Sequence, residues 1–337
     1  MKKLATPYQK VLLIVLPATL FMATISAYSS IISHQAVFDG CKQRELNSVA
    51  TLLQNDLQSQ MNRAAASASM IVNLPSVKKA FRANNREQLV DILQPSFLIQ
   101  RDRYNVLEGQ FHTAPAITYL RIYSPQDGPG EDLSSFREMV VNTNKEHEPR
   151  KGVEIGRRGL SIRGIDLVKD ANGYIGSFEV GSSFMTVLEN IKKNTGFEAG
   201  AFVDDAIMNK VAILLPPPDA ERIVAGFRNV EATNWKVLKA TVTPDLFTSD
   251  ADIKTDLKTI NGADYGIVTM PIQDYKGENI GIIIAVQNFD AYHNQMTAAV
   301  VRAIAFALLQ VLVMAGVVIV TISVMFVRRN EMTELPK

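Results

Sequence analysis

The sequence predicts an α+β protein in which two mixed helix–strand units lie between two transmembrane helices. Three observations predict this class. Residues 11–32 and 303–327 are uncharged apolar runs, each long enough to cross a bilayer at about 1.5 Å of rise per residue. Residues 33–74 keep a helical pattern without a proline. The rest of the chain twice alternates helical segments with β-rich segments that are joined by turn residues.

The composition excludes several other classes of protein. The 337 residues are 47% hydrophobic and 20% charged, which is too apolar for a disordered chain and too charged for a polytopic membrane protein. Lysines and arginines number 35 against 34 acidic residues, so no basic excess indicates a nucleic-acid partner. The single cysteine excludes an internal disulfide, and the four histidines form no pair with metal-ligand spacing. We therefore expect neither a metal nor another cofactor.

The charges beside the two apolar runs predict the membrane topology. Three lysines precede the first run, and Arg328 and Arg329 follow the second. By the positive-inside rule, residues 1–10 and 328–337 are then cytoplasmic, and the region between the spans lies outside the inner membrane of a bacterium. The alternative for the first run is a cleaved signal peptide, although it is longer than a usual h-region and no A-x-A site follows it.

The helical segment at residues 33–74 carries a heptad-like apolar seam. Apolar residues from Leu46 to Ile71 repeat at alternating steps of three and four. One interpretation is a scaffold helix that packs along its own domain, where the small residues Ala64 and Ala68 approach a sheet closely. The other is the seam of a homodimer. The two are compatible if they use different faces of the helix.

The first unit is predicted over residues 75–195. We expect one helix over Ser76–Leu93 that Pro95 ends, a strand over Ile117–Tyr123 and a helix over Asp132–Asn142. Three strands follow, at Gly152–Ile155, Gly159–Val168 and Tyr174–Val180, and then a helix over Gly181–Lys193.

The second unit is predicted over residues 196–290 and repeats this order with fewer elements. Its predicted strands are Glu198–Val203, Lys210–Leu215, Tyr265–Ile272 and Asn279–Gln287. A short helix is predicted over Ala220–Phe227, between the second and third of these strands. Residues 291–302 then continue as a helix into the second span.

Several segments of these units resemble a known family. They are GQFHTAPAITYLRIYSP from Gly109, EDLSSFREMVVNTN from Glu131, GVEIGRRGLSIRGI from Gly152, GYIGSFEVG from Gly173 and KKNTGFEAGAFVDD from Lys192. Together they are similar to the double Cache sensory domain of bacterial chemoreceptors and sensor kinases, in the subtype called the double sensory domain of two-component sensor kinases. The resemblance implies two tandem PAS-like Cache units with antiparallel sheets, of which the first is membrane-distal and the second membrane-proximal. The aromatic-rich array with which the commonest double Cache group binds amino acids is absent, so an amino acid is the less expected ligand.

Polar residues in the first unit are the candidates for a ligand site. Arg121 and Tyr123 share one face of their predicted strand, because side chains two residues apart point the same way. His112 lies just before that strand. An arginine on such a sheet can hold a carboxylate or another anion through two parallel hydrogen bonds. The full candidate set is His112, Arg121, Tyr123, Glu154, Arg157, Arg163 and Glu179. The alternative is an internal ion pair such as Arg163–Glu179, which shields a sheet face and binds nothing.

These observations predict a bacterial extracytoplasmic sensor of a small anionic molecule, and not an enzyme, because the sequence has no catalytic motif. The alternative is a membrane scaffold that uses the Cache fold for protein contacts. Only residues 328–337 follow the second span, which is too short for an output domain. We expect a free-standing homodimeric sensor that signals to a membrane partner; a truncated receptor is the other interpretation.

Overall fold

The computed structural model describes residues 7–247 and 252–333. The chain forms two compact units. One unit comprises Glu45–Asn288, and the other comprises the described parts of residues 1–44 and 289–337. The predicted flanking residues Lys2 and Lys3 lie outside the described residues.

Two long helices supply the end unit. Helix α1 covers Pro7–Val72 and continues through Pro17. Helix α8 covers Asp290–Thr333. Both are long and apolar enough to cross a membrane, and their apolar stretches are almost entirely exposed, as expected for surfaces that face lipid. The predicted continuity of the first span with the following helix is confirmed, whereas the limits of the spans stay predictions.

A five-stranded antiparallel sheet, here called the first sheet, forms the first half of the Glu45–Asn288 unit. Its order is β2-β1-β5-β4-β3. The strands are β1 Val106–Thr113, β2 Ile117–Arg121, β3 Arg150–Gly156, β4 Gly159–Asp170 and β5 Gly173–Ser182. The helices that accompany them are α2 Pro75–Arg82, α3 Arg86–Tyr104 and α4 Glu138–Glu146.

The first sheet has one apolar face and one polar face. Phe111, Phe178 and Val180 pack with residues of α1, α2 and α3 in a hydrophobic core. Gly164 allows α1 to approach, because a Cβ there would lie 2.2 Å from the Ala65 backbone nitrogen. The predicted packing of small α1 residues against a sheet is thus confirmed. Since side chains alternate along each strand, the intervening residues point to the opposite face, where the site lies.

A six-stranded antiparallel sheet, here called the second sheet, forms the other half of this unit. Its order is β7-β8-β6-β11-β10-β9. The strands are β6 Glu198–Asp204, β7 Ile223–Val224, β8 Phe227–Ala232, β9 Lys254–Ile260, β10 Ala263–Gln273 and β11 Asn279–Asn288. Helix α5 Met185–Thr195 joins the sheets, and α6 Asp205–Val211 and α7 Trp235–Thr241 accompany the second sheet. The fold class is α+β, as predicted.

The two sheets meet at the turn between β10 and β11 and at the loop after α6. Tyr275, between β10 and β11, donates its backbone N–H to the Val153 carbonyl at 3.1 Å. Its hydroxyl accepts a hydrogen bond from Asn142 at 2.8 Å. A Cβ on Gly152 would lie 2.6 Å from the Tyr275 Cβ, so glycine is required for this approach. The backbone therefore fixes how the sheets contact each other.

The prediction that Pro95 ends a single helix over Ser76–Leu93 is wrong. Helix α2 ends at Arg82, and α3 then runs through Pro95 to Tyr104. A proline inside a helix costs about 3 kcal/mol. Burial of Leu93 and Phe97 on either side of it against the first sheet offsets that cost.

Two predictions in the second unit are also wrong. The predicted strand Lys210–Leu215 is helix α6 followed by turns, because Asp204 caps the helix by accepting from the Ala206 N–H at 2.8 Å. The predicted helix Ala220–Phe227 is a single 3-10 turn followed by the β7–β8 hairpin. Its two turn residues, Ala225 and Gly226, have φ values of 51° and 83°, as a tight hairpin turn demands.

Candidate functional site

A cavity of about 380 Å³ lies on the polar face of the first sheet. Its floor is formed by polar residues of β1 and β4, and its sides by the chain after β2 and by the β3–β4 turn. The lining residues are Glu108, Gln110, Arg121, Tyr123, Asp127, Glu131, Leu133, Phe136, Arg137, Arg157, Arg158, Arg163, Ile213 and Leu214. Five of these are arginines and three are acids, so the lining is strongly charged.

The floor of the cavity is a buried ion network. Arg163 is 1% exposed and pairs with Glu108 and, at 3.1 Å, with Glu179. Arg137 pairs with Glu179 and, at 2.6 Å, with Glu154. Both arginines thus have carboxylate partners, and with the three carboxylates they leave one negative charge in the floor. Breaking such a network by removing one member is costly, since the others stay buried without a counter-charge.

The network shifts the pKa values of two of its members, Glu179 and Arg137. Burial alone favours the neutral form of Glu179, but Arg137 and Arg163 outweigh burial and lower its pKa from 4.5 to about 2. Burial likewise opposes the charged form of Arg137, yet Glu179 and Glu154 raise the pKa of its guanidinium. Glu179 is therefore ionised at neutral pH, and Arg137 keeps its proton.

His112 lies behind this floor, inside strand β1. It precedes strand β2, as predicted, but β1 itself was not recognised from the sequence. Its ring is fully buried, and neither ring nitrogen has a hydrogen-bond partner among the described residues. Burial, together with Arg137, Arg163 and Arg121, outweighs Glu179 at 3.9 Å and lowers the pKa of His112 to about 4. His112 is therefore neutral at physiological pH.

The rim of the cavity carries three further arginines. Arg121 pairs with Glu131, and Arg157 lies 3.8 Å from the same carboxylate. The Arg157 guanidinium also stacks over the Phe136 ring at 4.1 Å. Arg158 lies over the Tyr123 ring at 5.1 Å and pairs with no carboxylate among the described residues. With Asp127 and Glu131 as the rim acids, the rim carries one excess positive charge.

Tyr123 also lines the rim, and Gly128 lies against the Arg121 guanidinium. A Cβ on Gly128 would lie 2.0 Å from that guanidinium and displace it, and the φ of 68° at this position favours glycine. Burial raises the pKa of the Tyr123 hydroxyl to about 12, so it stays protonated and can donate a hydrogen bond.

The structure brings four of the seven predicted site residues into the cavity wall: Arg121, Tyr123, Arg157 and Arg163. Glu154, Glu179 and His112 lie behind the wall and not in it. The pair Arg163–Glu179, which was the alternative interpretation, is present at 3.1 Å. Ligand contact by any of the seven stays a prediction.

Sequence reasoning missed Glu108, Arg137 and Arg158. Glu108 and its neighbour Gly109 hide the alternation of β1, since neither is typical of a strand. Arg137 was placed inside a predicted helix, whereas it precedes α4 and points into the floor. Arg158 follows the predicted site residue Arg157, and this pair of adjacent arginines was the sequence signal that could have identified it.

Comparison with known proteins identifies the family. The sequence profile described as "Double sensory domain of two-component sensor kinase" (dCache_3) matches residues 42–293. The chain belongs to this family. These residues thus form a sensory domain of the periplasmic type, flanked by two candidate membrane helices. No curated protein matches the chain by sequence.

Several solved structures are similar to the chain at low identity. The periplasmic domain of Vibrio cholerae LuxQ is 9% identical, with 72% of this chain and 99% of that one covered and a TM-score of 0.45. The ligand-binding domain of the Campylobacter jejuni chemoreceptor Tlp3, in complex with L-valine, is 11% identical over 80% and 98%, with a TM-score of 0.44. An extracellular ligand-binding receptor from Desulfohalobium retbaense is 15% identical, with 72% of this chain but 39% of that one covered and a TM-score of 0.38.

Proposed function

We propose that this chain is an extracytoplasmic sensor that binds a small anionic molecule in the cavity of the first sheet without transforming it. The observation that carries the proposal is Arg158, a cavity-lining arginine with no carboxylate partner among the described residues. The arginines of the floor are already neutralised by their own carboxylates. A guanidinium that is not neutralised can bind an anion through two parallel hydrogen bonds.

The neighbours of Arg158 support the same role. Arg157 shares Glu131 with Arg121, so two rim arginines have one carboxylate between them. The protonated Tyr123 hydroxyl adds a neutral donor at the same rim. Donors therefore outnumber acceptors at the rim, whereas the floor beneath it is net negative. This distribution favours an anionic group at the rim.

The cavity also supports the sensor over the scaffold that was the alternative. A scaffold that makes only protein contacts needs no ligand space in the first unit. The polar face of the first sheet nevertheless encloses about 380 Å³ of charged space. The size lies within the range of small-molecule pockets.

Isothermal titration of the full chain in nanodiscs with acetate, hexanoate and inorganic phosphate tests the proposal. We expect at least one of these anions to bind, and Arg158→Gln to weaken that binding by about ten- to a hundredfold, as loss of a charge-assisted hydrogen bond does. Arg103→Gln, which removes an exposed arginine of α3 outside the cavity, is the matched control and should leave binding unchanged. Equal binding to Arg158→Gln and the wild type, or binding of none of the three anions, contradicts the proposal.

The topology is part of the proposal. We propose that both termini are cytoplasmic and that residues 47–290 are outside the inner membrane. In a Cys41→Ser background, Asp127→Cys should react with a membrane-impermeant maleimide in intact cells, and Glu334→Cys should react only after lysis. Labelling of position 334 but not of position 127 in intact cells contradicts this topology.

The output is proposed to run through α8 to a membrane partner or output domain. Strand β11 ends at Asn288, and α8 begins at Asp290, so a displacement of β11 is transmitted by the chain itself. Polar and small residues promote helix association in lipid, and Gln310 is such a residue in the predicted second span. A photo-crosslinker at Gln310 should capture a second protein in native membranes. Capture of this chain alone favours a homodimer without a separate receiver.

A further inference from the structure

Two neighbouring apolar side chains of the second half line the cavity of the first half. Ile213 and Leu214 follow helix α6 and are 58% and 65% exposed, yet both belong to the cavity wall. Large apolar side chains that are exposed together at a cavity mouth indicate a surface that a bound molecule covers. Their position in the wall is not explained by packing within the chain.

The segment that carries them, residues 212–215, is fastened to the β3–β4 turn of the first sheet. The Leu214 N–H donates to the Arg157 carbonyl at 3.0 Å. The Leu215 side chain lies 3.0 Å from where a Cβ on Gly159 would be, and Gly159 has a φ of 103° that glycine favours. Three prolines at residues 216–218 follow at once and restrict the backbone. The segment is therefore held at the cavity by a hydrogen bond, a close side-chain contact and the restricted backbone of the three prolines that follow it.

We propose that residues 212–215 are the outer wall of the ligand site, and that the ligand is a small acid with an apolar end. The inference rests on the proposed function, since the acidic group binds at Arg158. The apolar end then contacts Ile213 and Leu214 in the cavity that Leu133 and Phe136, apolar residues of the loop before α4, also line. One molecule thereby touches both halves of the Glu45–Asn288 unit.

Arg157 gives this contact a structural consequence. Its side chain stacks on Phe136 in the wall of the cavity, while its carbonyl holds Leu214. Arg157 and Phe136 also line a second cleft, between the β10–β11 turn and the first sheet. A ligand that covers Ile213 and Leu214 stabilises the docked position of the segment, and only such a differential interaction can shift a conformational equilibrium.

A chain-length series of monocarboxylates on the full chain in nanodiscs tests the inference. From acetate through butyrate to hexanoate, affinity should rise about threefold to fourfold for each added methylene that is buried. Leu214→Ser and, separately, Ile213→Ser should flatten this rise, so that hexanoate loses more affinity than acetate does. Both side chains are exposed, so neither variant disturbs the core. Leu257→Ser, an exposed leucine of β9 outside the cavity, is the matched control and should keep the wild-type rise.

Amide hydrogen exchange is the second measurement. Saturating hexanoate should slow exchange at residues 212–215 in the wild type, and acetate should slow it less. The inference is overturned if affinity rises with chain length in both serine variants as it does in the wild type. It is also overturned if hexanoate does not change the exchange rate at residues 212–215. In either case the proposed function stands as long as carboxylate binding depends on Arg158. If no carboxylate binds to the wild type, the inference is overturned, and the proposed function is overturned with it only if inorganic phosphate does not bind either.

Discussion

Replacing Arg163 by methionine perturbs the buried floor of the cavity most directly. Methionine keeps a long flexible side chain but removes the guanidinium. In the wild type Arg163 pairs with Glu108 and Glu179, and Arg163 and Glu179 are 1% and 0% exposed. The variant leaves these buried carboxylates with fewer counter-charges. Glu179 then keeps its ion pair with Arg137 but has lost the one with Arg163.

The burial of the network determines the size of the effect. Exposed ion pairs contribute about 0–1 kcal/mol, because water screens both charges. Removal of one member of a buried pair costs about 3–5 kcal/mol, because the remaining charge has neither water nor partner. The near-zero exposure of Arg163 places it in the second class. We therefore expect Arg163→Met to lower the free energy of unfolding by about 3–5 kcal/mol at pH 7.

The pH dependence follows from the lowered pKa of Glu179. A carboxyl whose pKa is lower in the folded state stabilises the fold above its ordinary pKa of 4.5, and that contribution is lost as the pH falls towards about 2. In Arg163→Met the pKa of Glu179 rises, because one of its two arginine partners is gone. The difference in stability between wild type and variant is thus largest at pH 7 and narrows below about pH 5, where the variant's carboxyl can take up a proton.

Urea-induced unfolding of the full chain in detergent, followed by circular dichroism at several pH values, measures these differences. Arg163→Met/Glu108→Gln should recover part of the loss, since it removes one of the unpaired charges as well. Arg103→Gln serves as the exposed control and should change stability by less than about 0.5 kcal/mol. A loss below 1 kcal/mol for Arg163→Met, or additive effects in the double variant, would refute the buried network as the source of stability.

Three further variants test other parts of the structure by the same unfolding measurement. Gly152→Ala should destabilise the chain by about 1–3 kcal/mol, because its Cβ would lie 2.6 Å from that of Tyr275; no loss would mean that the sheets do not meet there. Tyr275→Phe should cost about 0.5–1.5 kcal/mol through the lost Asn142 hydrogen bond, and an effect of zero would argue against that bond. His112→Leu should leave stability at pH 7 unchanged or higher by about 1 kcal/mol, because neither ring nitrogen is hydrogen-bonded within the part of the chain that the structure describes. Since the pKa of His112 falls from 6.5 to about 4 on folding, the wild type should lose stability from pH 6.5 to 4, and a constant gap to the leucine variant over that range would contradict the lowered pKa.

Patterns within short stretches of sequence were sufficient for most elements. The two spans, the hairpin strands around residues 159–180 and the strands around residues 265–287 were predicted, because alternation and turn residues act over a few neighbours. Two of the errors occurred where longer-range contacts override local preference. Pro95 stays inside α3 because residues on both sides of it are buried, and Glu108 stays inside β1 because Arg163, 55 residues further on, neutralises it.

The sequence by itself thus determined the fold class, the family and the polar residue types of the first unit. Only the tertiary structure decided which arginines are already paired. Arg163 and Arg137 are neutralised by carboxylates from other strands, and Arg158 is left facing the cavity. It also decided that Leu214, from the second half of the chain, closes a cavity built by the first. Strand register and the docking of the two halves set these contacts, and neither depends on the local period of the sequence that makes helices and strands predictable.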